Sequence, residues 1–179
     1  MLGTGFIKGI IPALVSPMHA DGQLDEQGFR QLIDHLIAQG VHGIFTVGTA
    51  GEFWALSVAE KKQIFEWSVD HVAGRVPVYA GTCANTTTEA VQLAREAEKA
   101  GADALSVLTP LFIAPSDEEM YRYYRAIADA VDLPVLLYTN PDRTGNDLSP
   151  TLVERLATEV DHIAGIKDSS GNFSQTAEY

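Results

Sequence analysis

The sequence predicts an α/β fold built on a parallel sheet, and more narrowly a (β/α)8 TIM barrel. Three observations predict it. Apolar, β-branched runs recur roughly every 30 residues, the length of one βα step: Ile10 to Val15, Ile44 to Val47, Val76 to Ala80, Ala104 to Leu108, Val135 to Tyr138 and Ile163 to Lys167. Between them apolar residues follow the helical period, as from Phe29 to Ile37. Unusual polar residues follow the strand ends, where TIM barrels carry their active sites.

This pattern amounts to about six βα units, whereas a closed barrel has eight strands and typically about 250 residues. We therefore expect residues 1–179 to form a single TIM-barrel domain that stops before the last two βα units. A parallel sheet of this kind is built with right-handed crossovers.

Helix boundaries are marked in the sequence. Capping boxes, in which a Ser or Thr pairs with a Glu three residues later, predict helix starts at Ser57 with Glu60, Thr86 with Glu89, and Ser116 with Glu119. Ser149 followed by Pro150 fits an N-cap with proline in the first helical position. Helix ends are expected before Gly40, Gly74 and Gly101. The box carboxylates are interpreted as caps, not as catalytic acids.

The composition excludes several classes of partner. There are 24 Asp and Glu against 12 Lys and Arg, a net charge of −12, which argues against nucleic acid or an anionic membrane. No stretch approaches the roughly 20 apolar residues of a membrane span, and the N-terminus lacks the layout of a signal peptide. Cys83 is the single cysteine and fits a reducing compartment. We expect a cytoplasmic protein.

Motif searches narrow the chemistry. The sequence contains no glycine-rich dinucleotide or phosphate loop and no nucleophile elbow of a serine hydrolase. The histidines are spread over different units without metal-ligand spacing, so we expect no metal site. They are His19, His35, His42, His71 and His162.

Lys167 is the strongest candidate for catalysis. It ends an apolar run and precedes a polar, glycine-containing loop. Burial lowers the pKa of a lysine from about 10.4 and frees the amine to attack a ketone and form an imine. The alternative is a strand-end lysine paired with Asp168, and spacing alone leaves both open. Lys61, Lys62 and Lys99 are expected to be solvated surface charges.

Three further positions follow strand ends. Tyr138 could relay a proton, or be an interior aromatic whose hydroxyl is satisfied. Arg143 could clamp a carboxylate, or be solvated on a turn. The loop Gly48-Thr49-Ala50-Gly51-Glu52 could direct backbone N–H groups and the Thr49 hydroxyl at an anion, although glycine and threonine are also ordinary turn residues.

The combined motifs identify a family. Gly48 to Glu52, Leu108-Thr109-Pro110, Tyr138-x-x-Pro141-x-Arg143-Thr144-Gly145 and Gly165 to Gly171 resemble the dihydrodipicolinate synthase / N-acetylneuraminate lyase family. The resemblance implies a TIM barrel, a pyruvate-type 2-oxo acid bound as a Schiff base and an aldehyde as second substrate. It further implies no metal or organic cofactor, and usually a homotetramer.

The resemblance also implies residue roles. Lys167 would be the imine-forming nucleophile and Tyr138 the proton relay. Thr49, beside Gly48 and Ala50 in the substrate-binding loop, would bind the carboxylate of the keto acid and join the relay. Arg143 would recognise the carboxylate of the second substrate.

Two positions depart from the family pattern. Ala50 stands where the family usually has a second Thr or Ser that holds the pyruvate carboxylate. Phe112 stands where the synthase usually has a tyrosine that completes the relay of a neighbouring subunit. The predicted function is therefore a class I lyase or aldolase acting on pyruvate or a related 2-oxo acid. Two alternatives stay open: a dihydrodipicolinate synthase, and a non-catalytic 2-oxo acid binding protein or inactive partial barrel.

Overall fold

The computed structural model describes residues 5–179, which alternate between helices and strands. In chain order the elements are α1 (Glu26–Ala38), β1 (Ile44–Thr46), α2 (Val58–Val72), β2 (Val78–Gly81), α3 (Thr87–Ala100), β3 (Ala104–Leu108), α4 (Asp117–Ala128), β4 (Val135–Thr139), α5 (Pro141–Thr144), α6 (Pro150–Glu159), β5 (Ile163–Asp168) and α7 (Phe173–Thr176). The chain divides into two compact units. The N-terminal unit comprises residues 5–81 and Glu96–Ala104, and the C-terminal unit comprises Thr82–Arg95 and Leu105–Tyr179. The single domain expected from the sequence stays a prediction.

In the N-terminal unit β1 pairs in parallel with β2, with Phe45 opposite Tyr79. The first predicted strand, Ile10 to Val15, is reduced to one parallel bridge between Ala13 and Phe45. Proline has no N–H to donate, so Pro12 can contribute only its carbonyl, which accepts from Phe45 N at 3.0 Å. The described residues therefore form five strands where about six were predicted.

In the C-terminal unit β3, β4 and β5 pair in parallel in chain order. The strands β3 and β4 are almost wholly buried, and α4 packs its three tyrosines, Tyr121, Tyr123 and Tyr124, into the core. All three side chains are buried.

The predicted helix caps form. The Ser57 and Ser116 hydroxyls each accept from the N–H of the Glu three residues on, and the serine N–H donates in return to that carboxylate, which completes both capping boxes. The Glu89 N–H donates to Thr86 Oγ1 at 3.3 Å, and the Leu152 N–H donates to Ser149 Oγ at 3.2 Å. Gly40, Gly74 and Gly101 all have positive φ after helix ends, as predicted.

One lysine lies elsewhere than expected. Lys61 is not a surface charge: it is buried on α2, and its Nζ lies 5.8 Å from the centroid of the Phe53 ring. The aliphatic stem of lysine packs well against apolar neighbours, so a helical position with charged sequence neighbours can still face inward. Lys62, the next residue, forms an ion pair with Glu96 at 3.1 Å.

The described chain has no membrane-spanning helix and no cluster of metal-ligating side chains. None of its helices has both the length and the apolar character needed to cross a membrane. Residues 5–179 also contain no group of three or more His, Cys, Asp or Glu side chains that could hold a metal ion. The absence of a metal and of an organic cofactor stays a prediction.

Candidate active site

The register between β4 and β5 brings two predicted site residues together. Val135 pairs with Ile163, but Leu136 pairs with Gly165, so the register shifts by one residue at this point. Without the shift Tyr138 would lie opposite Ile166, whereas with it Tyr138 lies opposite Lys167. Because a slip of one residue reverses the face on which a side chain lies, this irregularity decides which residue accompanies Tyr138.

Lys167 packs directly on Tyr138. Its Nζ lies 4.0 Å from the centroid of the Tyr138 ring, and Tyr138 itself is buried. Burial lowers the pKa of Lys167, and although the charge of the Tyr138 hydroxyl and a hydrogen bond to it oppose the shift, the net direction is down. A larger fraction of Lys167 is therefore a neutral, nucleophilic amine at neutral pH than for a surface lysine.

Asp168 is the alternative partner of Lys167, and its carboxylate is engaged by its own loop. Oδ1 accepts from the Ser170 N–H at 2.7 Å, and Oδ2 accepts from the Thr176 hydroxyl. Burial alone would raise the pKa of Asp168, but these hydrogen bonds outweigh it and lower the pKa. Successive strand residues point to opposite faces, which separates this carboxylate from the face of Lys167. The ion-pair alternative is accordingly disfavoured.

Asn140 is a site residue that the sequence reasoning missed. Its Nδ2 lies 3.3 Å from the Tyr138 hydroxyl and donates a hydrogen bond to it. Residues two apart in extended chain share a face, so the position of Asn140 after Tyr138 was the signal that could have found it.

A buried hydroxyl and amide network holds the turn after β4. Thr109 Oγ1 donates to Thr144 Oγ1 at 3.0 Å, and Thr144 also bonds to the carbonyls of Asn140 and Asn146. The Asn146 side chain donates to the Pro110 carbonyl at 2.9 Å. The strand ends of β3 and β4 are therefore cross-linked by polar side chains in addition to the sheet.

Arg143 lies on α5 in the same unit as Lys167 and Tyr138. Its backbone N–H donates to the Asn140 carbonyl at 3.0 Å, while its side chain is exposed and forms no ion pair within residues 5–179. A guanidinium on a rigid turn after the strand of Tyr138 can receive a carboxylate in the bidentate manner.

The predicted anion loop, Gly48 to Glu52, lies in the N-terminal unit and follows β1. Thr49 is half-buried and Ala50 is exposed. The N–H groups of Gly51 and Phe53 donate to the Gly48 carbonyl, and that of Glu52 donates to the Thr49 carbonyl. These three N–H groups close the loop, and the role of Thr49 in binding an anion stays a prediction.

The backbone that leads into this loop is held tightly. Val47 has a φ of 55°, a left-handed conformation that is strained for a β-branched residue. A Cβ on Gly81 would lie 2.2 Å from the Val47 carbonyl oxygen, so only glycine fits there. A Cβ on Gly48 would lie 2.7 Å from the Phe45 ring, so this ring would have to shift.

Phe112 projects from the C-terminal unit. It is 98% exposed, and its φ of 69° is unusual for an aromatic residue. The preceding Leu111 N–H is fixed by the Asn85 side chain at 2.8 Å.

The comparisons with known proteins agree with the motifs. The model of the dihydrodipicolinate synthetase family matches residues 6–179. The chain belongs to this family. Its 4-hydroxy-tetrahydrodipicolinate synthase relatives include those of Dechloromonas aromatica and Methylococcus capsulatus, each 46% identical over 172 residues, which are 96% of this chain and 59% of the relative.

Solved structures of the family share the fold. YagE, a prophage protein of the family from E. coli K12 solved in complex with pyruvate, is 42% identical with a TM-score of 0.94 over 96% of this chain and 58% of that chain. The chloride-inhibited dihydrodipicolinate synthase from Acinetobacter baumannii, also complexed with pyruvate, is 43% identical with a TM-score of 0.91 over 94% of this chain and 58% of that chain. The chain thus spans about three-fifths of the length of the relatives it matches. The predicted family and TIM-barrel fold class are confirmed.

Proposed function

We propose that the protein is a class I carbon–carbon lyase in which Lys167 forms an imine with pyruvate or a related 2-oxo acid. The observation that carries the proposal is the desolvated Lys167 amine packed on Tyr138 at the carboxyl ends of two parallel strands. Two family members that are 42% and 43% identical to this chain were solved with pyruvate, which supports the substrate class.

The chemistry needs one amine and one proton carrier. The Lys167 nitrogen attacks the ketone carbon, a C–N bond forms, and the proton lost by nitrogen balances the one gained by the carbonyl oxygen. A second proton on that oxygen lets it leave as water, and a protonated imine remains. The imine then accepts the electron pair when a proton or a carbon substituent leaves C3. In the synthetic direction the resulting enamine attacks the carbonyl carbon of an aldehyde. Tyr138 moves the protons to and from the oxygen.

The remaining predicted residues take supporting roles in this proposal. Gly48, Thr49 and Ala50 form the loop that receives the carboxylate of the 2-oxo acid, with the Thr49 hydroxyl as the donor. Arg143 receives a carboxylate on the second substrate, for which its exposed guanidinium is suited.

The second candidate is 4-hydroxy-tetrahydrodipicolinate synthase. It is favoured by Arg143 and by the names of relatives that are 46% identical, and disfavoured by Phe112, which has no hydroxyl to complete a relay. Consumption of aspartate semialdehyde with pyruvate supports the synthase. Turnover with sugar-derived oxo acids alone rejects it.

The proposal extends to the cofactor requirement, the cellular location and the oligomeric state. We expect the protein to act on small molecules, without a metal or organic cofactor, as a cytoplasmic homotetramer. The buried single thiol of Cys83 fits a reducing compartment, and the fully exposed Phe112 fits a surface covered by a second copy.

The test is borohydride trapping. The full-length protein is incubated with pyruvate and borohydride, and peptide mapping locates the reduced adduct, with Lys167→Met and Lys62→Met as the paired variants. We expect an adduct on Lys167 in the wild type and in Lys62→Met, and none in Lys167→Met. A folded wild type without an adduct would reject the proposal for pyruvate and favour a binding protein or another oxo acid.

A further inference from the structure

The side chain of Asn140 hydrogen-bonds to Tyr138 and not to the helix that it precedes. Asparagine is among the preferred N-cap residues, and Asn140 is the N-cap residue of α5. Its side chain makes no capping hydrogen bond, yet its Nδ2 donates to the Tyr138 hydroxyl at 3.3 Å. The amide therefore hydrogen-bonds to the Tyr138 hydroxyl and does not cap α5.

The backbone holds this amide in place. The Asn140 carbonyl accepts from the N–H groups of Arg143 and Thr144, each at 3.0 Å, and from the Thr144 hydroxyl at 3.2 Å. Pro141 follows and disfavours the helical conformation at Asn140, whose φ is −153° and ψ is 73°. The backbone of Asn140 is therefore fixed, and so is the position from which its side chain extends.

The hydrogen bond has a direction that matters for proton transfer. An amide NH₂ donates and cannot take a proton, so the phenol oxygen can only accept from Asn140. The hydroxyl hydrogen of Tyr138 must then point away from the amide, while the Lys167 Nζ lies 4.0 Å from the centroid of the ring. A donor to the oxygen also favours the phenolate over the phenol.

We propose that Asn140 is a positioning residue whose amide aims the proton of Tyr138 and stabilises its phenolate. The inference deepens the proposed function and rests on it, because it assigns a partner to the proton relay of the same site.

Other ionisable groups lie on the elements next to Tyr138 and are unchanged in the variants below. On β5 these are Lys167 and Asp168, on α4 Tyr124, and on the turn after β4 Asp142, Arg143 and Asp147. Burial raises the pKa of Tyr124 well above its usual value, so Tyr124 stays neutral. The Asp147 carboxylate accepts from Thr139 at 2.8 Å.

The test compares Asn140→Asp and Asn140→Ala with the wild-type full-length protein. Aspartate has the same shape and also caps helices, but it replaces the donor with an acceptor. We expect imine formation with pyruvate at neutral pH to slow by roughly three- to tenfold, the effect of losing one ordinary hydrogen bond. The apparent KM for pyruvate should stay nearly constant while kcat falls.

A titration separates this inference from the proposed function. Phenolate absorbance is followed against pH, and the curve of a Tyr138→Phe variant in each background is subtracted to isolate Tyr138. Both Asn140 variants should ionise Tyr138 at higher pH than the wild type, with the larger shift for Asn140→Asp. Asn172→Asp, which adds the same charge at the N-cap of α7, should leave the Tyr138 curve unchanged.

Two outcomes have different meanings. A wild type without a borohydride adduct rejects the proposed function, while the Tyr138 titration still decides whether Asn140 acts on the phenol. An adduct in the wild type, with rates and titration curves unaltered by either Asn140 variant, rejects the inference alone and leaves Asn140 a structural turn residue.

Discussion

Two opposing effects act on the Lys167 ammonium. Burial against the Tyr138 ring disfavours the charged form, while the phenol oxygen favours it, and burial is the larger effect. The pKa of Lys167 therefore depends on Tyr138, which the sheet register places opposite it. The same phenol is the group we propose as proton relay, so nucleophile and relay are adjusted together.

The lowered pKa of Lys167 predicts how stability depends on pH. Between the lowered folded pKa and the ordinary unfolded one, the unfolded chain binds more protons, so the ammonium destabilises the fold and this penalty fades as pH rises through that window. Lys167→Met should raise the Tm by roughly 2 °C at neutral pH and by less at strongly alkaline pH. Calorimetry across this pH range measures it. A Tm lowered at neutral pH and restored at strongly alkaline pH would mean that Lys167 forms a stabilising ion pair.

At the scale of elements, β2 can approach the end of β1 closely because Gly81 has no side chain. Gly81→Ala would place a Cβ 2.2 Å from the Val47 carbonyl oxygen, a backbone atom that cannot rotate away. We expect a loss of about 2 kcal/mol or more in the free energy of unfolding, measured in urea. Gly5→Ala is the control, because nothing lies within 4 Å of its Cβ position. Equal stability of the two variants would contradict the close approach.

The start of α4 depends on its capping box. Ser116 Oγ accepts from the Glu119 N–H at 3.4 Å, and the Glu119 carboxylate accepts from Ser116 N at 2.8 Å. Ser116→Ala should cost about 1 kcal/mol of unfolding free energy. Ser174→Ala, at an exposed serine of α7, should change it by less than about 0.5 kcal/mol. If Ser116→Ala leaves the unfolding free energy unchanged, water satisfies the first N–H groups of α4 as well as the capping box does.

At the scale of the whole molecule, assembly is tested at Phe112. Phe112 is fully exposed and has a positive φ, and exposed aromatic residues are common in contacts between subunits. Phe112→Lys in the full-length protein should shift sedimentation toward smaller species, while Gln39→Lys, at another exposed position, should not. Unchanged sedimentation of Phe112→Lys would remove Phe112 from the proposed tetramer contact.

Local patterns predicted much of the fold because they depend on near neighbours in sequence. Five of the six strand runs, the boxes at Ser57 and Ser116, and the left-handed glycines after the helices formed as expected. The first strand shrank to a bridge because Pro12 cannot donate a hydrogen bond. The family, too, could be identified from motifs, because the spacing of Tyr138, Arg143 and Lys167 within their motifs is specific in combination.

The sequence by itself determined the fold class, the family and which lysine ends an apolar strand. Only the tertiary structure decided that a register shift sets Lys167 opposite Tyr138, that Asn140 donates to the phenol, and that Lys61 is buried. Hydrophobic period and capping are properties of a segment, whereas register, side-chain direction and burial are fixed by residues far apart in the chain. The chemistry of this site depends on the second kind.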